Sequence, residues 1–521
     1  MRYVRVRSIV SVFALAVLAA CYEGNGPTTP SGQSGTSTPT PTPTAPVAGT
    51  LNVVLGRPTG SSIAMNVMAE PGTQVSVDYG RATGTYGASS TVETVGSGGT
   101  AVVELAGLAA NTRYYYRARY RPPSETTLRT EPERSFMTQR TPGAAFTFGV
   151  QGDSHPERAG NMFNADLYVA NMRNVAASGH DFYLALGDDF SSEPLFDRNA
   201  LSQDAVNQIY ATQRAWFAVP GHSTPVFLVN GNHEQAAAYL LNGRFPTPFA
   251  LAPVYQLRAR TSYFALPSTD GFYDADLEQL AGVGPLRDYY AWTWGDALFV
   301  TLDPYWHSPV PVDNGAPGVE KTRDQWESTI GDAQYAWLKR VLETSRARYK
   351  FVFEHHVLGT GRGAAGLVHS FEWGGYNRAG TAYEFSSMRP TWAKPLHQLF
   401  NDTGVTIVFS AHDHVFARET VDRVVYQSVP NPADNTYTAF NADAYLPARV
   451  LLPGAKYVAS DGVVQPNAGH LSVAVASQQV TVSYVRAVLP GDEAKAGAAN
   501  GSVSVRYSVS PAGVVTQGVA Q

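Results

Sequence analysis

Val405-Thr406-Ile407-Val408-Phe409-Ser410-Ala411-His412-Asp413-His414 is the stretch that decides the fold. Five residues of strand type run into two histidines and an aspartate, with only Ser410 and Ala411 between. A strand apolar on both faces belongs inside a sheet covered by helices. In open α/β sheets, ligands bind beyond the carboxyl ends of such strands, where loops converge. The same design appears four times upstream. Phe146-Thr147-Phe148-Gly149-Val150 leads to Gly152-Asp153-Ser154-His155, and Phe182-Tyr183-Leu184-Ala185-Leu186 leads to Gly187-Asp188-Asp189. Val226-Phe227-Leu228-Val229 leads to Asn230-Gly231-Asn232-His233-Glu234, and Phe351-Val352-Phe353 leads to Glu354-His355-His356.

Each piece alone is weak, since Asp-x-His and His-x-His arise often by chance and Gly-Asp or Gly-Asn-His make ordinary turns. Five in succession, each directly after an apolar strand, are hard to obtain from turn chemistry. If the strands lie side by side, Asp153, His155, Asp188, Asn232, His355, His412 and His414 meet in one place. That is more than one divalent ion requires, and it suits two ions bridged by a carboxylate. Nitrogen and oxygen donors fit iron, zinc or manganese better than copper(I) or an iron–sulfur cluster.

In order, these motifs resemble those of the calcineurin-like metallophosphoesterases: Asp-x-His, Gly-Asp-x-x, Gly-Asn-His-(Asp/Glu), a histidine after the fourth strand, and Gly-His-x-His. The resemblance runs from about residue 145 to 490 and implies a four-layer α/β/β/α domain. It implies that Asp153, His155 and His414 hold one metal, that Asn232, His355 and His412 hold the other, and that Asp188 bridges them. It further implies hydrolysis of small-molecule phosphate esters by a metal-bridging hydroxide, with His233 protonating the leaving group. A phosphomonoesterase of the acid phosphatase kind is the first expectation. A phosphodiesterase or nucleotide-directed hydrolase is the alternative, because the metal site is common to all. Trp294 to Asp303 looks like the family's intervening strand.

The chain departs from the pattern in places. Ala411 stands where the family has Gly, which is tolerable if that backbone angle is not left-handed. His355-His356-Val357 replaces His-x-Pro, so His355 is the expected ligand, with His356 behind it or substituting for it. Asp189 either orients a ligating histidine or merely makes the turn. An N-terminal sandwich joined to such a domain resembles purple acid phosphatase architecture. Those enzymes carry a metal-bound tyrosine after the second motif, where this chain has Phe190 and Ser191, so no tyrosinate colour is expected. Arg362 and Glu372-Trp373-Gly374-Gly375-Tyr376-Asn377 follow the fourth motif, in a loop that either overhangs the metals or packs on the rim.

The remaining chain sets the context. It has 521 residues, 43 acidic against 38 basic, 12 histidines and one cysteine. Two to four folded units are expected from that length. The charge balance argues against a nucleic-acid-binding patch, and the 44% hydrophobic content argues against a wholly disordered chain. A lone cysteine excludes a disulfide framework and Cys-rich zinc modules.

That cysteine ends Leu18-Ala19-Ala20-Cys21, after a start containing Arg2, Arg5 and Arg7 and an apolar run. The pattern resembles a bacterial lipobox and implies a signal peptide over 1–20 and lipidation at Cys21. Tyr22, in place of Asp, points to the outer membrane, on its periplasmic or cell-surface face. Residues 21–48 read as a Pro/Thr/Ser-rich spacer. Residues 49–140 read as a β-sandwich resembling fibronectin type III, with Tyr114 as its corner tyrosine. Its strand near 113–120 alternates tyrosines with Arg113, Arg117 and Arg119, predicting one buried and one solvated face. If that charged face binds ligands, a surface-binding protein with a structural metal site is the rival reading. A helix is expected from Asp332, as N-cap, to about Arg346. Residues 491–521 read as a C-terminal β or tail segment, and His222 and His307 as structural.

Overall fold

Two sheets lie face to face, and phenylalanines fill the space between them. The computed structural model describes residues 51–243, 247–313, 324–358, 362–451 and 454–518; the expected signal peptide, Cys21 and the spacer lie outside the described residues. The first sheet has seven strands in the order Val226–Leu228, Phe182–Ala185, Phe146–Gln151, Gly469–Val475, Val480–Arg486, Val503–Val509 and Val515–Gln517. Its first three strands are parallel. The second sheet has eight, with Ala297–Thr301, Tyr349–Phe353, Ile407–Ser410 and Val424–Ser428 parallel at its centre. Phe148 of the first sheet meets Phe299 and Phe351 of the second at ring-centroid distances of 5.1 and 5.4 Å. Such aromatic contacts in a fully buried layer hold the sheets in one register.

Helices cover both outer faces. Ala165–Ser178, Gln203–Gly221 and Ala252–Tyr263 pack on the first sheet, while Asp332–Thr344 and Leu396–Thr403 pack on the second. The four-layer α/β/β/α expectation is met. The Asp332 helix is capped by Gly331, at φ 79°, and not by Asp332. Gly331 supplies the positive φ at the entry, while the Asp332 carboxylate accepts from Trp392 Nε1 at 2.6 Å.

The division expected at residue 490 falls inside the first sheet. Val503–Val509 and Val515–Gln517 are its last two strands, and Tyr507 and Val509 enter the core between the sheets. An alternating strand has one apolar face to bury, and the sheet edge provides the place.

The N-terminal β region pairs a three-stranded sheet (Asn52–Gly56, Ser62–Met68, Thr100–Ala106) with a second sheet built on Gln74–Gly80 and Arg113–Arg121. Tyr114, Tyr116, Ala118 and Tyr120 are buried, as the alternation predicts. Arg117 and Arg119 lie outward and both pair with Asp78, so part of the positive stripe is neutralised within its own sheet. The Tyr114 hydroxyl accepts from the Ala109 backbone at 2.9 Å.

This region is fastened to the helices of the first sheet through Arg214. Its buried guanidinium donates to Asn52 Oδ1 at 2.9 Å, to the Asn66 carbonyl at 2.6 Å and to the Tyr263 carbonyl. Burial without a carboxylate pushes its pKa down to about 9. The Tyr116 hydroxyl donates to the His222 carbonyl at 2.6 Å, so His222 serves this seam.

Candidate metal centre

All five motifs leave the carboxyl ends of parallel strands, three from the first sheet and two from the second. There the chain turns sharply. Asp153, His155, Asp188, His412 and His414 adopt φ of 61°, 47°, 59°, 68° and 52°, the left-handed region. For residues other than glycine this costs about 1–3 kcal/mol each and persists only where surroundings dictate it. Ala411 lies outside that region, which is why a methyl is accepted there. Its Cβ lies 2.5 Å from where a side chain on Gly152 would begin, so the two positions are small as a pair.

Glu234 holds the turns. This buried carboxylate accepts from the backbone N–H of Gly231 at 2.6 Å, Asp188 at 3.0 Å, Asp189 at 2.8 Å and Phe190 at 3.0 Å. Two glycines let the loops touch. A Cβ on Gly187 would stand 2.3 Å from Gly231 N, and one on Gly231 would stand 2.3 Å from Asp188 Oδ1. The sheets are tied across the site as well: His412 N donates to Asp153 Oδ1 at 3.0 Å, and His355 Nδ1 donates to the Leu186 carbonyl at 2.8 Å.

The seven expected ligands converge, none more than 5% exposed. Asp188 Oδ2 lies 3.1 Å from His355 Nε2 and 3.4 Å from His155 Nε2. Asp153 Oδ1 lies 3.5 Å from His414 Nε2. His155 Nε2 and His414 Nε2 face each other at 3.1 Å, and His412 Nδ1 lies 3.1 Å from Asn232 Oδ1. Two groups result, Asp153–His155–His414 and Asn232–His355–His412, with Asp188 between them.

Electrostatics matches the geometry. Burial, with nearby positive groups, holds His155, His412 and His414 well below the ordinary imidazole range, leaving neutral rings with free lone pairs. Burial alone would raise Asp188, but His355 and His233 hold it well below its usual value and ionised. Burial opposes charge on His355, yet Asp188 and Asp153 push it up to about 10. Asp153 Oδ2 and His355 Nε2 are buried without a hydrogen-bond partner. Orphaned donors and facing bare nitrogens in a nitrogen–oxygen cage are what cations relieve. The residues present fit two metal ions sharing Asp188.

The neighbours sort out differently. His356 stands with His355 and His412, one ring nitrogen of each lying within 4.8 Å of the others, so the substitute-ligand reading stays open; its Nδ1 meets the Tyr305 hydroxyl at 2.7 Å and its ring stacks on His412 with centroids 4.2 Å apart. Asp189 does not orient a histidine. It accepts from Ser154 Oγ at 2.5 Å and Gln213 Nε2 at 3.3 Å, bracing the first motif's turn against a helix. Phe190 is stacked on Tyr210 in the core. Arg362 donates to the His412 carbonyl. Trp373 is buried against Phe400 and Tyr426, and Glu372 binds Arg389 at 2.5 Å, so this stretch packs the fold and does not overhang the metals. His307 Nε2 lies 3.8 Å from Asp288 Oδ2, apart from the seven.

His233 stands at the edge of the centre. Its Nε2 lies 3.8 Å from Asp188 Oδ2 and 3.2 Å from Arg158 Nη2, and its Nδ1 lies 2.8 Å from Glu193 Oε1. Burial works against its charge, but Asp188 and Glu193 push it up to about 9. Glu157 Oε1 lies 2.7 Å from His155 Nδ1. Glu157, Arg158 and Glu193 escaped the sequence reading, although Glu157 and Arg158 directly follow the first motif.

The sequence profile of the calcineurin-like phosphoesterases matches residues 146–416. The fold is similar to the structure of PhoD, at 15% identity and TM-score 0.62, over 90% of this chain and 92% of that one. It is also similar to purple acid phosphatase PPD1 from yellow lupin (Lupinus luteus) seeds, at 13% identity and TM-score 0.54, over 88% and 74%. No curated protein is similar to the chain in sequence. The chain belongs to the calcineurin-like phosphoesterases, metal-dependent hydrolases of phosphate esters.

Gly231→Ala tests the loop contact, because its methyl would displace Asp188. Metal affinity is expected to fall by about 10–100-fold with the far-ultraviolet circular dichroism unchanged. Unaltered affinity in calorimetric titration would show that the two loops can part.

Proposed function

We propose that this phosphoesterase removes phosphate from small-molecule monoesters outside the cytoplasm, held at a membrane by lipid on Cys21. One observation carries the catalytic part. Six buried donors from four strand ends surround Asp188, which comes from the fifth, beside a cationic corner formed by His233 and Arg158. A metal pair held there supplies Lewis acidity and a water of lowered pKa. Iron, zinc and manganese all suit the donor set.

The protein's own groups divide the remaining work. Asp153, His155 and His414 would hold one ion and Asn232, His355 and His412 the other, with Asp188 placed between the two groups. Glu193 holds the His233 ring by Nδ1, so that Nε2 delivers the proton that the leaving oxygen takes. Arg158 directs an N–H at that nitrogen; turning this donor to a phosphate oxygen of the bound ester lets Nε2 carry its proton. A monoester carries one more ionisable oxygen than a diester, so a guanidinium at this corner favours the monoester. The anchoring part rests on the Leu18-Ala19-Ala20-Cys21 pattern.

Protein lacking residues 1–21 is expected to contain about two metal ions per chain and to hydrolyse p-nitrophenyl phosphate faster than bis-p-nitrophenyl phosphate, with chelator abolishing both. A faster diester reaction would overturn the monoester reading, and failure to take up metal would overturn the centre itself. His233→Ala should lower kcat by about 10²–10⁴-fold on phenyl phosphate and much less on p-nitrophenyl phosphate, whose leaving group needs no proton. Equal losses on the two would remove His233 as the acid. Cys21→Ser should move the full chain from the membrane fraction to the soluble one; unchanged partitioning would sink the lipid anchor.

A further inference from the structure

The second group of ligands is held by a residue outside every strand-end motif. Asp313 lies in the stretch that follows Ala297–Thr301 of the second sheet, and its contacts bring that stretch to the centre. The start of the stretch is pinned by Asp303, which accepts from the backbone of Tyr305 at 2.7 Å and of Trp306 at 3.1 Å, and from Asn230 Nδ2 at 2.6 Å. Asp313 touches two expected ligands at once. Asp313 Oδ2 lies 3.2 Å from His412 Nε2, and the Asp313 carbonyl accepts from Asn232 Nδ2.

These two contacts compete with a hydrogen bond from His412 Nδ1 to Asn232 Oδ1, which one imidazole tautomer would make. A carboxylate only accepts, so a proton drawn to Asp313 Oδ2 sits on Nε2 of His412 and leaves Nδ1 presenting its lone pair. An amide that donates through Nδ2 presents Oδ1. The two acceptors then face each other across 3.1 Å, an arrangement that a shared cation stabilises. The same segment braces the ring from another side: Tyr305 holds His356, and His356 stacks on His412.

Resting on the metal reading above, we infer that Asp313 is a positioning residue that sets the His412 tautomer and the Asn232 amide together, and so builds one of the two metal sites selectively. The other group, Asp153–His155–His414, takes its order from Glu157 and the first-sheet loops.

The test is a Zn²⁺ titration of the metal-stripped chain lacking residues 1–21, followed by calorimetry, on wild type, Asp313→Ala and Asp313→Asn. The wild type is expected to bind in two steps. Asp313→Ala should keep one step intact and weaken the other by about 10–100-fold, with the melting temperature of the metal-free protein unchanged. Asp313→Asn retains a carbonyl acceptor for Nε2–H and should restore most of the lost affinity. Two unaltered steps in Asp313→Ala would overturn the inference while leaving the metal centre standing. Equal weakening of both steps with a lower metal-free melting temperature would overturn it as well, reducing Asp313 to a structural residue. A wild type that binds no pair would remove the metal reading and this inference with it.

Discussion

One buried carboxylate gathers four backbone N–H groups from two neighbouring strand ends, and the rest of the centre depends on that clamp. Glu234 closes the Gly231 turn and the Asp188–Phe190 turn onto each other. Burial and the nearby Asp188 charge push the Glu234 carboxyl above its usual range, while the N–H groups of Asp188 and Asp189 pull it down. Hydrogen bonds to an ionised acceptor are about twice as strong as neutral ones. Four of them offset strain of the size carried by Asp188 in its left-handed conformation. Without this clamp, Asp188 has no reason to stand where histidines from both sheets can reach it.

The clamp works because the two sheets already present their strand ends on one edge. That alignment is a packing result, set by the phenylalanine layer between the sheets. Phe148 alone contacts Phe182, Phe299, Phe351, Phe353 and Phe409, spanning four of the five motif-bearing strands and their neighbour Ala297–Thr301. A shift of one strand by a residue would turn this layer outward and carry its ligands away together. The N-terminal sandwich acts at a distance. Through Arg214 and Tyr116 it loads the helix Gln203–Gly221, which also carries Gln213, the residue that braces Ser154 and Asp189.

The parts legible in the sequence are those in which a local signal is also the tertiary one. An apolar run ending in Asp, Asn or His reports both a buried parallel strand and the polar end that must meet its neighbours, so the seven expected ligands that the structure brings together are all legible in the sequence. Glu157, Arg158, Glu193 and Asp313 have no such signal. Asp313 lies in a loop and the other three in short helical turns after strand ends, and where such connections go depends on packing that no period encodes. Asp189 was ambiguous for the same reason, since its partner Gln213 lies on a distant helix. The boundary expected at residue 490 divides a sheet for another reason: an outer strand such as Val503–Val509 alternates like any half-buried strand, and nothing local says which sheet it extends.

Histidines in the left-handed region also explain how the two halves of the centre stay independent in detail while sharing Asp188. His155 and His414 are held from the first-motif side, through Glu157 and the turn that Ser154, Asp189 and Gln213 brace. His412 and Asn232 are held from the opposite side, through Asp313 and the Tyr305–His356 pair. His355 leans on the Leu186 carbonyl, directly before the Asp188 turn. Each half therefore has its own protein-to-protein supports, and the clamp under Asp188 and the hydrogen bond from His412 N to Asp153 Oδ1 are common to both. Damage to a peripheral support reaches one half, and damage to the clamp reaches both.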